Sequence, residues 1–258
     1  MKKMPLLQLL HNKFPQYSRK ALYARILCGE VAVNGEHHRD PQFKVPIDSE
    51  IRFVQRKYVS RGGLKLEAAL TMWQLPVEGR VFLDAGASTG GFTDCLLQYG
   101  AQKVHAVDVG YNQLDYSLRK DPRVLVLERT NVMHVQELTP PPHAAVADLS
   151  FRSLRGAAAH IISLTTEQWM IGLLKPQFEA ASEQLEEFNG VVRAEEDAYR
   201  ILQEVTDYLK EEGLQVRAVV PSPVSGRKGN REFLLLLTGG LCNIFAGEGF
   251  SDKDAFTR

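Results

Sequence analysis

A chain of 258 residues with 44% apolar side chains is long enough for one large domain or two unequal ones around a sizeable core. No run of about 18 apolar residues occurs, which argues against a membrane-spanning helix, and the first residues carry no small-residue cleavage site of a secretory signal. Cys28, Cys95 and Cys242 are far apart, fit no metal spacing and leave an odd thiol, so a reducing, cytoplasmic setting without a bound metal is expected. The formal net charge of zero hides an asymmetry: residues 1–61 hold twelve Lys/Arg against five Asp/Glu, and the remainder holds the matching acidic excess. A basic end on an otherwise acidic protein suggests a polyanion docked there, the alternative being a solvated basic surface.

Leu6, Leu9 and Leu10 predict a short helix that Pro15 breaks. Ser18 is placed to cap a second helix, with Leu22, Ile26 and Leu27 on one periodic face and Arg19, Lys20 and Arg25 on the exposed side. Val31 and Val33 alternate in "GEVAVNGEHH" ahead of Asn34-Gly35, a strong tight-turn pair, and a strand from Ile51 to Val54 completes this first unit. The stretch "SRKALYARILCGEVAVNG" resembles the small RNA-binding domain named after small-subunit ribosomal protein S-four. That resemblance implies a basic helix face meeting RNA phosphates through Ser18, Arg19, Lys20 and Arg25, with folded RNA recognised by shape and backbone.

The expected domain occupies residues 1–57, with an interdomain linker at 58–64 and a second domain at 65–240. "KYVSRGGLKLEAAL" bridges the two through a Ser-Arg-Gly-Gly turn and a helix with Leu64, Ala68 and Leu70 on its apolar side. Arg61 beside Gly62-Gly63 either grips an RNA phosphate or forms a stiff link. From Val81 the pattern alternates. Strands are predicted at Val81–Leu83, Lys103–Val107, Val124–Leu127, Ala144–Ala147, Trp169–Leu174, Gln215–Val220 and Glu232–Thr238. Helices are predicted at Thr93–Tyr99, Leu114–Arg119, Leu154–Leu164 and Glu195–Glu212. Seven strands with intervening helices define an α/β, doubly wound, Rossmann-like sheet. Residues 241–258 are expected to be a flexible tail.

In such a sheet ligands sit outside the carboxyl ends of the parallel strands. "VFLDAGASTGGFTD" places Asp84 at the end of the first strand and Gly86, Gly90 and Gly91 where the chain turns into its helix. Asp108 ends the second strand 24 residues after Asp84, near the spacing at which a carboxylate takes ribose hydroxyls. A dinucleotide turn wants G-x-G-x-x-G, and Ser88 stands where its second glycine belongs, which argues against NAD or FAD. S-adenosylmethionine fits better. Asp84 would accept from its ammonium group and the helix N-terminus would meet its carboxylate; a purely structural crossover is the alternative.

Asp148 closes "HAAVAD", Lys175 closes "WMIGLLKP", and Glu232 opens "EFLLLL". An antiparallel last strand puts Glu232 on the rim that holds Lys175 and Asp148, and Lys65 lies on a helix that can pack over it. Singly, each has a plain structural reading: a strand-end lysine, a helix cap, a partner for Arg231 or Lys228, a solvated helix charge. Together Lys65, Asp148, Lys175 and Glu232 are similar, in order and context, to the Lys-Asp-Lys-Glu tetrad of FtsJ-like ribose 2′-O-methyltransferases. Nearly the whole chain resembles the TlyA family, often labelled hemolysin, through "YVSRGGLKLEAAL", "DAGASTGGFTDCLLQ", "VDVGYNQL", "RTNV", "ADLSF", "LLKPQFE" and "SPVSGRKGNREFLLL". Asn112, where a glycine is expected, and Arg152 in "DLSFRSL" depart from the family pattern.

The resemblance implies a seven-stranded methyltransferase sheet and an S-adenosylmethionine site built from Asp84, Gly86, Ala87, Ser88, Thr89, Gly90, Gly91, Asp108, Val109, Asn131 and Asp148. It also implies ribosomal RNA cytidines as targets, in 23S RNA with 16S RNA as a second candidate, within assembled ribosomal subunits. Lys175 would be the base that takes the ribose hydroxyl proton. Burial and Lys65 favour its neutral form, while Asp148 and Glu232 oppose it. Asp148 would orient hydroxyl and cofactor, and Glu232 would hold Lys65 or Lys175. Two other readings are a membrane-active hemolysin, which the lack of a span or signal opposes, and an inactive RNA-binding assembly factor, which the intact tetrad, Asp84 and Asp108 oppose.

Overall fold

The computed structural model describes residues 3–27, 29–38, 40–54, 57–150, 153–180, 191–192, 194–226, 229–240 and 242. Cys28, Arg152, Lys228 and residues 241 and 243–258 of the expected tail lie outside them. The chain divides into two compact units, Met1–Val59 and Ser60–Arg258.

In the first unit, strand β1 (Lys3–Pro5) leads into helix α1 (Leu6–Lys13), which is followed by α2 (Arg19–Leu27) and strands β2 (Val31–Val33), β3 (Glu36–His38), β4 (Lys44–Pro46) and β5 (Ile51–Phe53). Ser18 caps α2, its Oγ accepting from the Ala21 amide at 3.2 Å. Asn34 and Gly35 both take positive φ, as a two-residue turn between β2 and β3 requires. The order β3-β2-β5 is antiparallel throughout, and β1 pairs separately with β4. Leu6, Leu10, Leu22, Ile26 and Val31 form the centre of the core. Leu27, expected on the apolar face of α2, is 47% exposed, because Leu22 and Ile26, four apart, already span that face.

The second unit opens on α3 (Gly62–Trp73), continues with β6 (Val81–Ala85), α4 (Gly91–Gln98), β7 (Lys103–Val107), α5 (Tyr116–Lys120), β8 (Val124–Leu127), β9 (Ala144–Ala147), α6 (Ala158–Ser163), β10 (Trp169–Leu174), α7 (Pro176–Glu179) and α8 (Glu195–Glu211), and ends with β11 (Gln215–Pro221) and β12 (Phe233–Thr238). The seven strands lie in the order β11-β12-β10-β9-β6-β7-β8. Every pairing is parallel except those of β12, which runs antiparallel to β10 and β11. All six residues of both β10 and β12 are buried, in keeping with their near-continuous apolar sequences in a sheet covered on both faces.

Three expectations need correction. Residues 62–64, read as linker, form the first turn of α3, and its buried face is Leu66, Ala69, Leu70 and Trp73, whereas Leu64 is 41% exposed. The helix expected at Leu154–Leu164 begins at Ala158, the preceding residues forming a turn around Gly156 with φ +95°. The helix expected at Leu114–Arg119 begins after Asp115, whose carboxylate accepts from the Ser117 amide and fixes the start.

Candidate active site

The chain leaves β6 toward β7 and β8 on one side and reaches β9 and β10 on the other, so the sheet reverses its order of winding at β6 and β9. The crevice outside the carboxyl ends of such a pair is the place where ligands bind in this architecture. The glycine turn, Asp108 and Asp148 all lie at that rim.

Gly86 and Gly90 adopt φ of +86° and +94°. A Cβ on Gly86 would fall 2.6 Å from the Asp148 carbonyl oxygen, and one on Gly90 would fall 2.3 Å from the Leu118 side chain. Gly91 closes in the same way against Ser60 and the first residues of α3. The glycines therefore admit neighbouring protein as well as any ligand. We expect Gly86→Ala to displace the Asp148 backbone and to weaken S-adenosylmethionine binding by at least tenfold in calorimetric titration, since strain at a left-handed site and the overlap add.

Asp84 is fully buried. Its Oδ2 accepts from Thr93 Oγ1 at 2.6 Å, and its Oδ1 has no hydrogen-bond partner among the described residues. Burial lifts the carboxyl to about 7; the Thr93 bond opposes this, and the nearby charges of Asp148 and Asp108 add to it. Because the folded state holds this proton more tightly than the unfolded chain, the group's contribution to stability is full below about pH 4 and is lost as pH rises toward 7. Asp84→Asn should remove that slope. In urea unfolding the variant is expected to gain on the wild type at pH 8 and to match it near pH 4; parallel curves for the two proteins across that range would contradict the assignment.

Asp108 is committed through both oxygens, accepting from the Ser88 amide at 2.8 Å and the Gly110 amide at 2.6 Å. A carboxylate offers about four lone-pair sites, so each oxygen retains capacity for a hydroxyl. Ala87 is buried; Ser88 and Thr89 are exposed, as is Val109, at 71%. Asn131 caps a 3-10 turn (Val132–His134), its Oδ1 accepting from the Met133 amide. Glu128 was missed from sequence: it accepts from the Gln113 amide and pairs with Arg119, which holds its carboxyl at about 2, and so anchors the loop after Asp108.

The four tetrad residues form two ion pairs. Lys65 Nζ donates to Glu232 Oε2, and both residues are buried, at 8% and 3% exposed. Lys175 Nζ meets Asp148 Oδ1 at 2.5 Å and donates to the Leu149 carbonyl at 3.0 Å and Ser150 Oγ at 3.3 Å. Register joins the pairs: Leu174 faces Phe233 across the β10–β12 ladder, which sets Lys175 and Glu232 at one rim. Asp148 follows β9, whose Ala147 faces Gly172. Glu232 takes Lys65 rather than Arg231, which pairs with Glu195 at 2.6 Å. A cavity of about 510 Å³ opens beside Glu232, lined by Val192, Pro221, Ser222, Ser225 and Arg231 among others.

Of the residues expected to meet RNA, Arg19 and Lys20 are exposed, as is Arg61 at the start of α3. Arg25, expected on the same exposed side, has a side chain 37% exposed. Its guanidinium lies 5.2 Å from the Tyr17 ring and 5.0 Å from the Phe53 ring, and 3.7 Å from Glu30, so it closes the core edge of the first unit.

A mixed seven-stranded sheet with a reversed β12 and a lysine–carboxylate tetrad on its rim defines a methyltransferase fold. Residues 58–238 match the FtsJ-like methyltransferase family, and the chain belongs to that family. It is 38% identical over 244 residues to the 16S/23S rRNA (cytidine-2′-O)-methyltransferase TlyA of Mycobacterium tuberculosis, covering 91% of this chain and 90% of the relative. It is also 38% identical to Hemolysin A of Brachyspira hyodysenteriae, covering 90% and 98%. A solved structure from Streptococcus thermophilus described under a hemolysin name aligns with a TM-score of 0.70 at 37% identity, covering 93% of this chain and 89% of that one.

Proposed function

We propose that this protein transfers the methyl group of S-adenosylmethionine to the ribose 2′-hydroxyl of cytidine in ribosomal RNA, 23S and also 16S, presented within ribosomal subunits in the cytoplasm. The observation that carries this reading is the pairing of Lys175 with Asp148 and of Lys65 with Glu232 on one rim. Its support from relatives is the activity named for the Mycobacterium tuberculosis protein.

The donor set at the switch point suits the cofactor. The buried, unpartnered Asp84 Oδ1 calls for a cationic donor such as an ammonium group, Asp108 has lone pairs left for ribose hydroxyls, and exposed Val109 supplies apolar surface beside it. Bound there, the cofactor supplies an electrophilic methyl group. A ribose hydroxyl is a poor nucleophile near neutral pH and must lose its proton as it attacks. Lys175 takes that proton, which requires that the ammonium paired with Asp148 first give up one of its own. Asp148 and the Leu149 carbonyl aim Lys175, and the Lys65–Glu232 pair stands at the same rim. The first unit, through Ser18, Arg19 and Lys20, and Arg61 at the start of the second, would hold RNA phosphates. Among the described residues no helix is long and apolar enough to cross a membrane.

The test is transfer of labelled methyl to separate small and large subunits from a bacterium lacking the modification. Label in RNA that resists alkaline hydrolysis at a cytidine is the expected result and identifies the subunit; label released by alkali, or none despite cofactor binding, would refute ribose methylation.

A further inference from the structure

Glu179 ends α7, four residues after Lys175, and is 7% exposed. Its Oε1 accepts from the Leu154 amide at 2.7 Å and its Oε2 accepts from Ser153 Oγ. Ser153 Oγ in turn accepts from the Arg155 amide at 2.9 Å. Arg155 stands 4.0 Å from Glu179 and 3.7 Å from Glu204 on α8. The segment that follows β9 is therefore clasped to the segment that follows β10 at two places. Lys175 grips Asp148, Leu149 and Ser150, and Glu179 grips Ser153 and Leu154. Backbone bonds Phe178 N to Lys175 O at 2.8 Å and Ala180 N to Pro176 O at 3.0 Å make α7 a short rigid bar between the two grips, with Pro176 pre-set at its first position.

A carboxylate buried this deeply is costly unless its bonds are satisfied, and these bonds do more than close a turn. They fix Ser153 and Leu154, which lie five and six residues after Asp148 in the chain. We infer that Glu179 is a positioning residue for the methyl-transfer site, holding the segment after β9 so that Asp148 and Leu149 aim the Lys175 amine. The inference rests on the proposed role of Lys175. Glu179 itself is held away from the reacting atoms by α7, so its effect passes through placement alone.

The full-length protein carrying Glu179→Ala, Glu179→Gln or Ser153→Ala is assayed with ribosomal subunits, and each rate is normalised to cofactor-binding sites counted by calorimetry. Val205→Ala, a core change in α8 that removes no hydrogen bond or ion pair of the clasp, and Lys175→Ala serve as comparators. Misplacement of a reacting group costs tenfold or more. Glu179→Ala is therefore expected to lower kcat about tenfold with KM for the subunit and cofactor affinity unchanged, and to move the midpoint of the pH–rate profile. Glu179→Gln, which still accepts from Leu154, should recover most of the rate, and Ser153→Ala should fall between. Val205→Ala should lose stability but keep its normalised kcat and midpoint. A normalised kcat and midpoint unmoved in both Glu179→Ala and Ser153→Ala, with Lys175→Ala inactive, overturns the inference alone. Activity retained by Lys175→Ala overturns it together with the proposed base. If Glu179→Ala does not fold, Ser153→Ala and Glu179→Gln decide by the same criteria.

Discussion

Lys175→Ala is expected to lower kcat for methyl transfer by about 10²–10⁴-fold, the usual contribution of a positioned base, while S-adenosylmethionine still binds. The separation follows from where the groups lie. Asp84, Asp108 and the glycine turn are built from β6, β7 and their loops, and Lys175 touches none of them; its partners are Asp148, Leu149 and Ser150. Removing the amine leaves Asp148 Oδ1, itself buried although the side chain as a whole is 27% exposed, without its cation, so the variant should also lose some thermal stability and its rate is compared per cofactor-binding site. Lys175→Arg sharpens the test. A guanidinium preserves the charge opposite Asp148 but does not give up its proton. An arginine variant as slow as the alanine variant identifies the lysine as base; one that keeps more than about a tenth of the wild-type rate would show that a cation is all the reaction needs there.

Much of this site was legible in the residues before any coordinates, and the parts that were not share a cause. Strands β6, β7, β9 and β10 are almost wholly buried, so each is a largely apolar run with a charged residue at or just beyond its end, and Asp84, Asp108, Asp148 and Lys175 mark those ends. Strands β1, β3 and β4 escaped because "KMP", "EHH" and "KVP" carry no alternation; their pairing rests on backbone bonds to partners elsewhere. Helix α7 escaped because Pro176 reads as the end of a strand, although proline at a first helical position is itself a start signal. Glu179 left no local trace, since Ser153 and Leu154 lie 26 and 25 residues away. The partner of each tetrad lysine was equally hidden: charge and order allow Glu232 to hold Lys65 or Lys175, and only the reversal of β12 with the placement of α3 decides for Lys65.

That decision leads to the largest expected effect on stability. Lys65 and Glu232 are almost wholly withdrawn from water, and the Glu232 carboxylate is further enclosed by the loop at Gly226, where a Cβ would come within 2.2 Å of Oε1. Removing one partner of a buried pair strands the other charge, at a cost of about 3–5 kcal/mol, whereas replacing both with apolar groups of similar volume is often neutral. Lys65→Met and Glu232→Leu should each lower the urea midpoint markedly, and the double variant should recover most of the loss, giving a large coupling energy in the cycle. Single variants that unfold at the wild-type midpoint would mean that the pair is solvated and contributes little. Activity separates structure from chemistry. If the double variant regains stability and still transfers no methyl group, the pair is retained for the reaction, because Met and Leu restore the packing but offer neither the cation nor the carboxylate.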